Sequence, residues 1–318
     1  MLVVGYDGAE LLEITAVTTT FLMASELGVA LPPYRVEVAT PGGRPIPYVS
    51  GLMLQGPRLL ERVDGALDTL IVSGGPGSQA AAGDPRMIDA VRRLARRSRR
   101  VASVCTGADI LAAARLLDGR RATTHWRHAE ALAKRHPAVM VDSAPIYVRD
   151  GNVFTAAGLT SALDLSLAFV ELDHGANAAR VVARHLVTYL QRPGSQAQMS
   201  MYLAGDPPQS GLVKRVVDHI TTHLDKDLSA DVLAACAGVS ERHLNRLFQR
   251  DLDQTPGRYV RQARVEAAAQ LLASSMLTVP HVATRCGFRS AESLRQAFVA
   301  HYGIPPSQYR ARHARSSA

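Results

Sequence analysis

The carboxyl-terminal third of the chain repeats itself with a period of 50 residues: Val232, Cys236, Ser240, Leu244, Phe248, Pro256 and Tyr259 recur as Val282, Cys286, Ser290, Leu294, Phe298, Pro306 and Tyr309. A fixed period of this length marks a duplicated supersecondary unit, which restricts the region to two similar packed modules. Each copy reads as a helix-turn-helix. In the first, from Leu228 to Arg250, an apolar-periodic helix ends near Cys236, the chain turns through Gly238, and Ser240 caps a second helix. The second copy spans Thr278 to Tyr302. Between them Pro256 to Ser274, rich in Ala, Arg and Leu, predicts one long helix.

Along the second helix of the first copy, Leu244, Leu247 and Phe248 form an apolar stripe. Arg242, Asn245, Arg246 and Gln249 fall at i, i+3, i+4 and i+7 on another face. Arg and Asn side chains offer bidentate donors to guanine and adenine edges, so this face suits a DNA major groove. The matching face of the second copy carries Glu292, Arg295, Gln296 and Val299, with Leu294 and Phe298 behind it. A rigid spacer helix would hold two such faces about 34 Å apart, one turn of duplex.

Residues 212–318 hold 15 of the 36 basic and 9 of the 28 acidic side chains, so most of the chain's net charge of +8 lies where phosphates would be met. No run of 18 apolar residues exists, and "MLVVGYDGAE" reads as a strand rather than a leader, so a soluble, cytoplasmic protein without a membrane partner is expected. Three cysteines, without a CxxC pair or metal-type spacing to histidine, argue against disulfides and a metal site. No cofactor is expected. Cys236 and Cys286, at equivalent positions, read as small core residues.

The repeat, through Ala235, Gly238, Ser240, Arg242, His243, Leu244, Arg246, Phe248, Pro256 and Tyr259 and then Cys286, Gly287, Phe288, Ser290, Phe298, Gly303, Pro306, Tyr309 and Arg310, resembles the double helix-turn-helix of AraC-type transcriptional regulators. The resemblance implies sequence-specific binding to double-stranded operator DNA. The candidate contacts are Ser240, Arg242, His243, Asn245, Arg246 and Gln249 in the first copy and Ser290, Glu292, Arg295 and Gln296 in the second. For an activator, RNA polymerase is a further partner. Three positions depart from the family pattern: Asp253 replaces Gly, Leu294 replaces Phe, and Gln296 replaces the usual Arg of the second recognition helix.

Residues 1–190 have a different texture. Short β-rich runs, "LVVGY", "RVEVAT", "TLIVSGG", "RVASVC", "RATTH" and "NVFTAAG", alternate with helix-length stretches such as Glu10 to Gly28, Pro85 to Arg97 and Gly107 to Leu117. That alternation predicts an α/β domain with a doubly wound, mostly parallel, flavodoxin-like sheet, followed by an all-α second domain. Loops at the carboxyl ends of the strands should carry its site. Cys105 sits where a buried strand turns into a helix, the arrangement of a nucleophile elbow, in which the helix N-terminus would lower the thiol pKa. His125 ends "RATTH" on what is expected to be a neighbouring strand, and Glu13 follows the first strand. Trp126 either plugs the core beside this pocket or contacts a ligand.

The segments "DGAELLE", "IVSGGPG", "SVCTGADILAAARLLDGRRATTHW" and "FTAAGLTSALDLSLAFVE" resemble the class I glutamine-amidotransferase-like domain of the PfpI superfamily, in the branch that precedes an AraC-type module. The resemblance makes Cys105 a candidate nucleophile. It marks Glu13, Gly75, Cys105, Thr106, His125 and Trp126 as the pocket, with glycine-loop and elbow amides as oxyanion donors. In the regulator branch the same pocket implies a small-molecule sensor, and nitrogen-containing metabolites are the effectors it suggests. The stretch after Glu13 departs from the pattern: Glu stands for the usual Asp, and Ala16-Val17 replaces Gly-Pro. Three roles for Cys105 stay open: a ligand-lining thiol, a hydrolase or hydratase nucleophile on a DNA-tethered enzyme, and a redox sensor or inert packing residue.

Residues 191–211, rich in Pro, Gly, Ser and Gln, read as a linker between a sensor domain (1–190) and a DNA-binding domain (212–318). The helix-forming "HGANAARVVARHLVTYL" offers Ala, Val and Leu on one side and is expected to mediate a homodimer. The run "RRLARRSRR", Arg92 to Arg100, is expected to be the solvated face of a sheet-covering helix.

Overall fold

The computed structural model describes residues 1–48, 51–55, 58–188, 192, 194, 198, 208 and 210–315. It divides into two compact units, Met1–Gln198 and Met199–Ser316.

In the first unit, β1 (Leu2–Val4), α1 (Leu11–Glu26) and β2 (Glu37–Thr40) open the chain, and β3 (Ile46–Pro47), β4 (Met53–Leu54) and β5 (Arg58–Leu59) follow. Next come β6 (Leu67–Val72), α2 (Ser78–Gly83), α3 (Pro85–Ala95), β7 (Ser98–Val104) and α4 (Gly107–Ala113). The unit closes with β8 (Arg121–Ala122), α5 (Trp126–Arg135), β9 (Met140–Val141), β10 (Tyr147–Asp150), β11 (Val153–Ala156), α6 (Thr160–His174) and α7 (Ala176–His185). Seven strands form one sheet in the order β10-β11-β7-β6-β1-β2-β5. Every pairing is parallel except that of β10 with β11. The central strands are apolar on both faces, as a sheet covered by helices on each side requires, and Leu70, Ile71, Val72, Val101, Ala102 and Val104 are buried.

Several expectations are corrected here. "RATTH" does not join the main sheet. Its β8 pairs with β9 in a separate two-stranded ladder, because Thr123 N donates to Thr155 Oγ1 (2.8 Å) and Thr124 Oγ1 to Cys105 O (2.7 Å), and these side-chain bonds take the place of a strand pairing. The basic run is not one solvated helix face. Its helix stops at Ala95, Arg93 donates to Val63 O, and Arg100 lies within β7, 3% exposed. Arg100 packs 4.0 Å over the Phe169 ring and pairs with Asp173 at 2.5 Å, as a buried guanidinium must. The apolar side of α7 is also already occupied: Ala178, Ala179, Val182 and Ala183 belong to the unit's own core. Of the expected linker, only 192, 194, 198, 208, 210 and 211 lie within the described residues. Arg192 pairs with buried Asp164 (2.7 Å), and Gln198 Nε2 donates to Thr124 O (2.8 Å).

The second unit is all helix: α8 (Gly211–Thr222), α9 (Ala230–Ala237), α10 (Glu241–Leu252), α11 (Pro256–Ser274), α12 (Val279–Arg285), α13 (Ala291–Tyr302) and α14 (Pro306–Arg315). Its two copies have separate small cores. Leu233, Leu244, Phe248 and Tyr259 centre the first, and Val282, Leu294, Phe298 and Tyr309 the second. The long helix α11 contributes Val260 and Ala263 to one and Val265 and Ala268 to the other. Arg264 lies at the changeover, and its guanidinium donates to Leu224 O (3.0 Å) and Lys226 O (2.7 Å). Gly287, at φ +74°, closes against Leu224 O and the Arg264 guanidinium, leaving no room for a Cβ.

Candidate functional site

Cys105 connects β7 to α4 with φ +52°, a value that a non-glycine residue adopts only where its surroundings enforce it. Neighbouring glycines make the elbow possible. A Cβ on Gly74 would lie 2.6 Å from Cys105 Cβ, and one on Gly107 would meet Val72 O and Ser73 O. The expected elbow is therefore present. Its electrostatics are the reverse of expectation: burial, reinforced by the neighbouring Glu13 carboxyl, pushes the thiol up to about 12, outweighing the Thr106 backbone amide. That direction favours the protonated thiol over the thiolate.

Glu13, on the first turn of α1, is 1% exposed. Its carboxyl accepts from Gly74 N (2.7 Å) and Leu159 N (3.1 Å). Burial raises its pKa, opposed by those two amides. Leu159 N is aimed at Glu13 by a second strained residue, with φ +41°. The buried Tyr6 hydroxyl donates to Ser73 O (2.9 Å) beside this group.

Thr106 and Gly75 lock to each other. Gly75 N donates to Thr106 Oγ1 (2.9 Å), and Thr106 Oγ1 donates to Gly75 O (3.0 Å). Both amides of the glycine loop expected to act as oxyanion donors are thus engaged internally, Gly74 by Glu13 and Gly75 by Thr106. His125 reaches the site from the start of α5 rather than from an adjacent sheet strand. Its Nδ1 accepts from Arg127 N (3.3 Å), so it caps its own helix. Burial, then the nearby His128 and Arg127, lowers its pKa. Gly158 borders both groups: a Cβ there would lie 3.0 Å from Cys105 Sγ and 3.5 Å from His125 Cδ2, so the glycine leaves the space between thiol and imidazole open. Among the described residues no hydrogen bond joins Cys105 to His125. Trp126 does not plug the core; it is 43% exposed, stacks on His125 at 5.6 Å, and its backbone N donates to Gln198 Oε1 (2.9 Å).

Sequence reasoning missed Tyr6, Gly158, Leu159 and Gln198. Gly158 and Leu159 lay within the quoted "FTAAGLTS", yet nothing local marks a leucine for positive φ. Among the described residues no group of three or more His, Cys, Asp and Glu side chains is placed to hold a metal ion.

In the second unit, Ser240 caps α10 by accepting from His243 N (3.3 Å), and Gly238 ends α9 in the left-handed region. Leu244, Leu247 and Phe248 are buried, which turns Arg242, Asn245, Arg246 and Gln249 toward the surface. Among the described residues Arg242 has no ion-pair partner, and Arg246 meets only the His243 imidazole (3.0 Å). On α13, Glu292 binds Arg295 through both oxygens (2.7 and 2.7 Å) and accepts from Gln296 Nε2 (3.1 Å). Cys286 is a core residue as expected, whereas Cys236 is exposed.

A parallel-sheet unit with a cysteine elbow, together with a unit of paired helix-turn-helix modules, defines a transcription regulator built on an amidotransferase-like domain. Family models agree with both parts: residues 1–172 match the DJ-1/PfpI family and residues 233–312 a helix-turn-helix domain. The HTH-type transcriptional regulator CdhR of Pseudomonas aeruginosa is 30% identical over 278 residues, 87% of this chain and 82% of that protein. The chain belongs to the AraC-type, DNA-binding transcriptional regulators with an N-terminal DJ-1/PfpI domain. An isonitrile hydratase of Pseudomonas putida is 34% identical over 157 residues, 49% of this chain and 67% of that enzyme. The crystal structure of a THiJ/PfpI family protein from Pseudomonas syringae covers 83% of this chain and 89% of its own, with a TM-score of 0.54 at 22% identity, and supports the fold. Among the described residues no helix is long and apolar enough to cross a membrane.

Proposed function

We propose that the first unit senses a small metabolite and that the second reads operator DNA, chiefly through Arg242, Asn245, Arg246 and Gln249 of α10, with the effector's differential affinity for two states of the chain providing the control. One observation carries the sensor reading: the buried thiol sits against the buried Glu13 carboxyl, which disfavours the thiolate, while His125 Nδ1 and the glycine-loop amides are committed to other bonds. A cysteine nucleophile needs a thiolate and a base within reach. Burial disfavours the thiolate here, and the base within reach, the buried Glu13 carboxyl, already accepts from Gly74 N and Leu159 N, which supports a sensor more than a hydratase.

The test is operator binding and catalytic assay on the same preparation. Wild type and Cys105→Ala are offered isonitriles, amides and aldehydes, and separately titrated onto operator DNA with a metabolite panel. Metabolite-dependent operator affinity without turnover supports the sensor. Turnover abolished by Cys105→Ala would establish a tethered enzyme instead. A homodimer on paired half-sites belongs to this proposal, and a sedimentation profile of monomer alone at micromolar concentration would remove it.

A further inference from the structure

The stretch that reads as linker begins seated on the first unit. Of residues 191–198 the structure describes Arg192, Gly194 and Gln198, and each is anchored there. Gln198 fills a slot matched to a carboxamide. Its Nε2 faces three oxygens, Thr124 O (2.8 Å), Thr123 Oγ1 (3.2 Å) and Pro145 O (3.3 Å), while its Oε1 accepts from Trp126 N (2.9 Å). Thr123 and Thr124 are fully buried, so the slot is cut into the core. A glutamate would set a carboxylate against those three oxygens, and an alanine would leave Trp126 N without its acceptor. The Gln198 backbone is held too, its N donating to Ala144 O (2.9 Å).

At the other anchor, Arg192 N donates to Asp164 Oδ1 (2.9 Å), and the guanidinium donates to Asp164 Oδ2 (2.7 Å) and Thr160 Oγ1 (2.9 Å). Asp164 is 3% exposed, so this arginine supplies the cation that a buried carboxylate requires. Between the anchors Gly194 lies against the Tyr147 ring, where a Cβ would come within 2.5 Å of it, and Gly194 O accepts from Tyr147 N (3.3 Å).

Both anchors rest on groups that hold the cysteine elbow. Thr124, whose carbonyl takes the Gln198 amide, donates its Oγ1 to Cys105 O (2.7 Å), and Trp126, whose N–H Gln198 receives, stacks on His125. Thr160 and Asp164 belong to α6, which starts next to Leu159, the residue whose N–H binds Glu13. Farther along, Ser210 N donates to Asp251 Oδ2 of α10 (2.8 Å). Residues 199–209 therefore join a point fixed at the elbow's rim to a point fixed on a reading helix.

We propose that Arg192, Gly194 and Gln198 form a strap, and that its release is the step by which a change at Cys105 alters operator binding. Displacing Thr124 or Trp126 costs Gln198 its bonds. Release then lengthens the tether between the two fixed points, and tether length sets the effective concentration of a linked DNA-binding unit at its site. The proposal rests on the sensor reading for its input.

Gln198→Ala and Arg192→Gln, singly and together in the full-length chain, test it by hydrogen exchange and operator titration. Each should speed exchange at Trp126 N by about tenfold or more, although Arg192 does not touch Trp126, because the strap opens as one piece. Each should change operator affinity in the same direction by about fivefold or more, and the pair no further than the larger single effect. Exchange of α10 and α13 amides should stay as in wild type, which separates release from damage to the DNA-binding unit. Gln198→Ala strands no buried charge, so it decides the matter alone if Arg192→Gln does not fold. Cys105→Met, which enlarges the elbow side chain, should also speed Trp126 exchange. Wild-type exchange in that variant, operator affinity unmoved by Gln198→Ala, or additive effects of the two strap substitutions overturns the proposal. A metabolite-dependent shift of operator affinity that persists in Gln198→Ala upholds the sensor and sinks the strap as its route. Strap variants that act together while wild type answers no metabolite uphold the strap and sink the sensor.

Discussion

The two helix-turn-helix copies share a core and differ in what they show to solvent. Phe248 packs edge-on against Tyr259 with ring centroids 5.9 Å apart, and Phe298 packs edge-on against Tyr309 at 5.1 Å. Among the described residues the two arginines on the face of α10, Arg242 and Arg246, have no carboxylate partner, whereas on α13 Glu292 pairs with Arg295 and accepts from Gln296. Duplication therefore preserved the scaffold and released the reading face. On α10 Gln249 is held by Asp253 (2.7 Å) and Asn245 by Glu241 O (3.0 Å), so the contrast between the copies lies in their reading-face arginines, paired with a carboxylate on α13 alone.

The largest expected contrast is chemical. Cys236 is exposed, but burial raises the equivalent Cys286 thiol to about 11, so at pH 8 it is both covered and protonated. Iodoacetamide should label Cys236 faster by about a hundredfold or more, with mass spectrometry locating the adduct. Comparable rates would mean that the second core opens freely. Next come the cores: Phe248→Ala and Phe298→Ala should each cost about 3–5 kcal/mol, read by hydrogen exchange of α10 and α13 amides in the full-length chain. A much smaller loss for Phe298→Ala would end the claim of equivalent scaffolds.

On operator DNA the ranking should separate the copies. Arg242→Ala or Arg246→Ala should weaken specific binding by about 1–3 kcal/mol for each lost base contact. Arg295→Ala, which removes a side chain already paired at the surface, should weaken specific binding far less than either α10 substitution. Equal losses from the two helices would erase the distinction, and equal losses on specific and random DNA would assign the arginines to phosphate. The smallest contrast lies in the caps. Ser290 and Ser293 form a reciprocal capping box, while Ser240 accepts a single bond from His243 N. Ser290→Ala should therefore cost about 1–2 kcal/mol of helix stability and Ser240→Ala about 0.5–1, measured by exchange of the first-turn amides.

How far the sequence spoke varied in the same regional way. In the repeat, helix ends are written in local chemistry: Ser240 and Ser290 as caps, Gly238 and Gly303 in the left-handed region, and Pro256 at the first turn of a helix that does run to Ser274. Asp253, where the family pattern has Gly, adopts φ +51° and ends α10 as a glycine would. In the first unit the strand-rich runs and the elbow at Cys105 were legible because apolar runs and glycine spacing are local. The thiol's partner was not, since Glu13, Gly74 and Leu159 meet only when the sheet closes, and burial then decides the protonation state. Arg100 misled for a related reason: a basic run implies solvent until a distant Asp173 supplies the counter-charge.

The junction of Arg264, Leu224 and Gly287 has a consequence for the duplex. A guanidinium wedged between two small cores, with a glycine closed over it, keeps α10 and α13 at a set pitch. When both helices enter one double helix, the nucleic acid does the adjusting. Sites whose intervening steps bend easily, TA and CA/TG among them, would then be favoured by up to a few kcal/mol of deformation energy, about 1–6 for a smooth bend of 40–90°, at bases that no side chain touches.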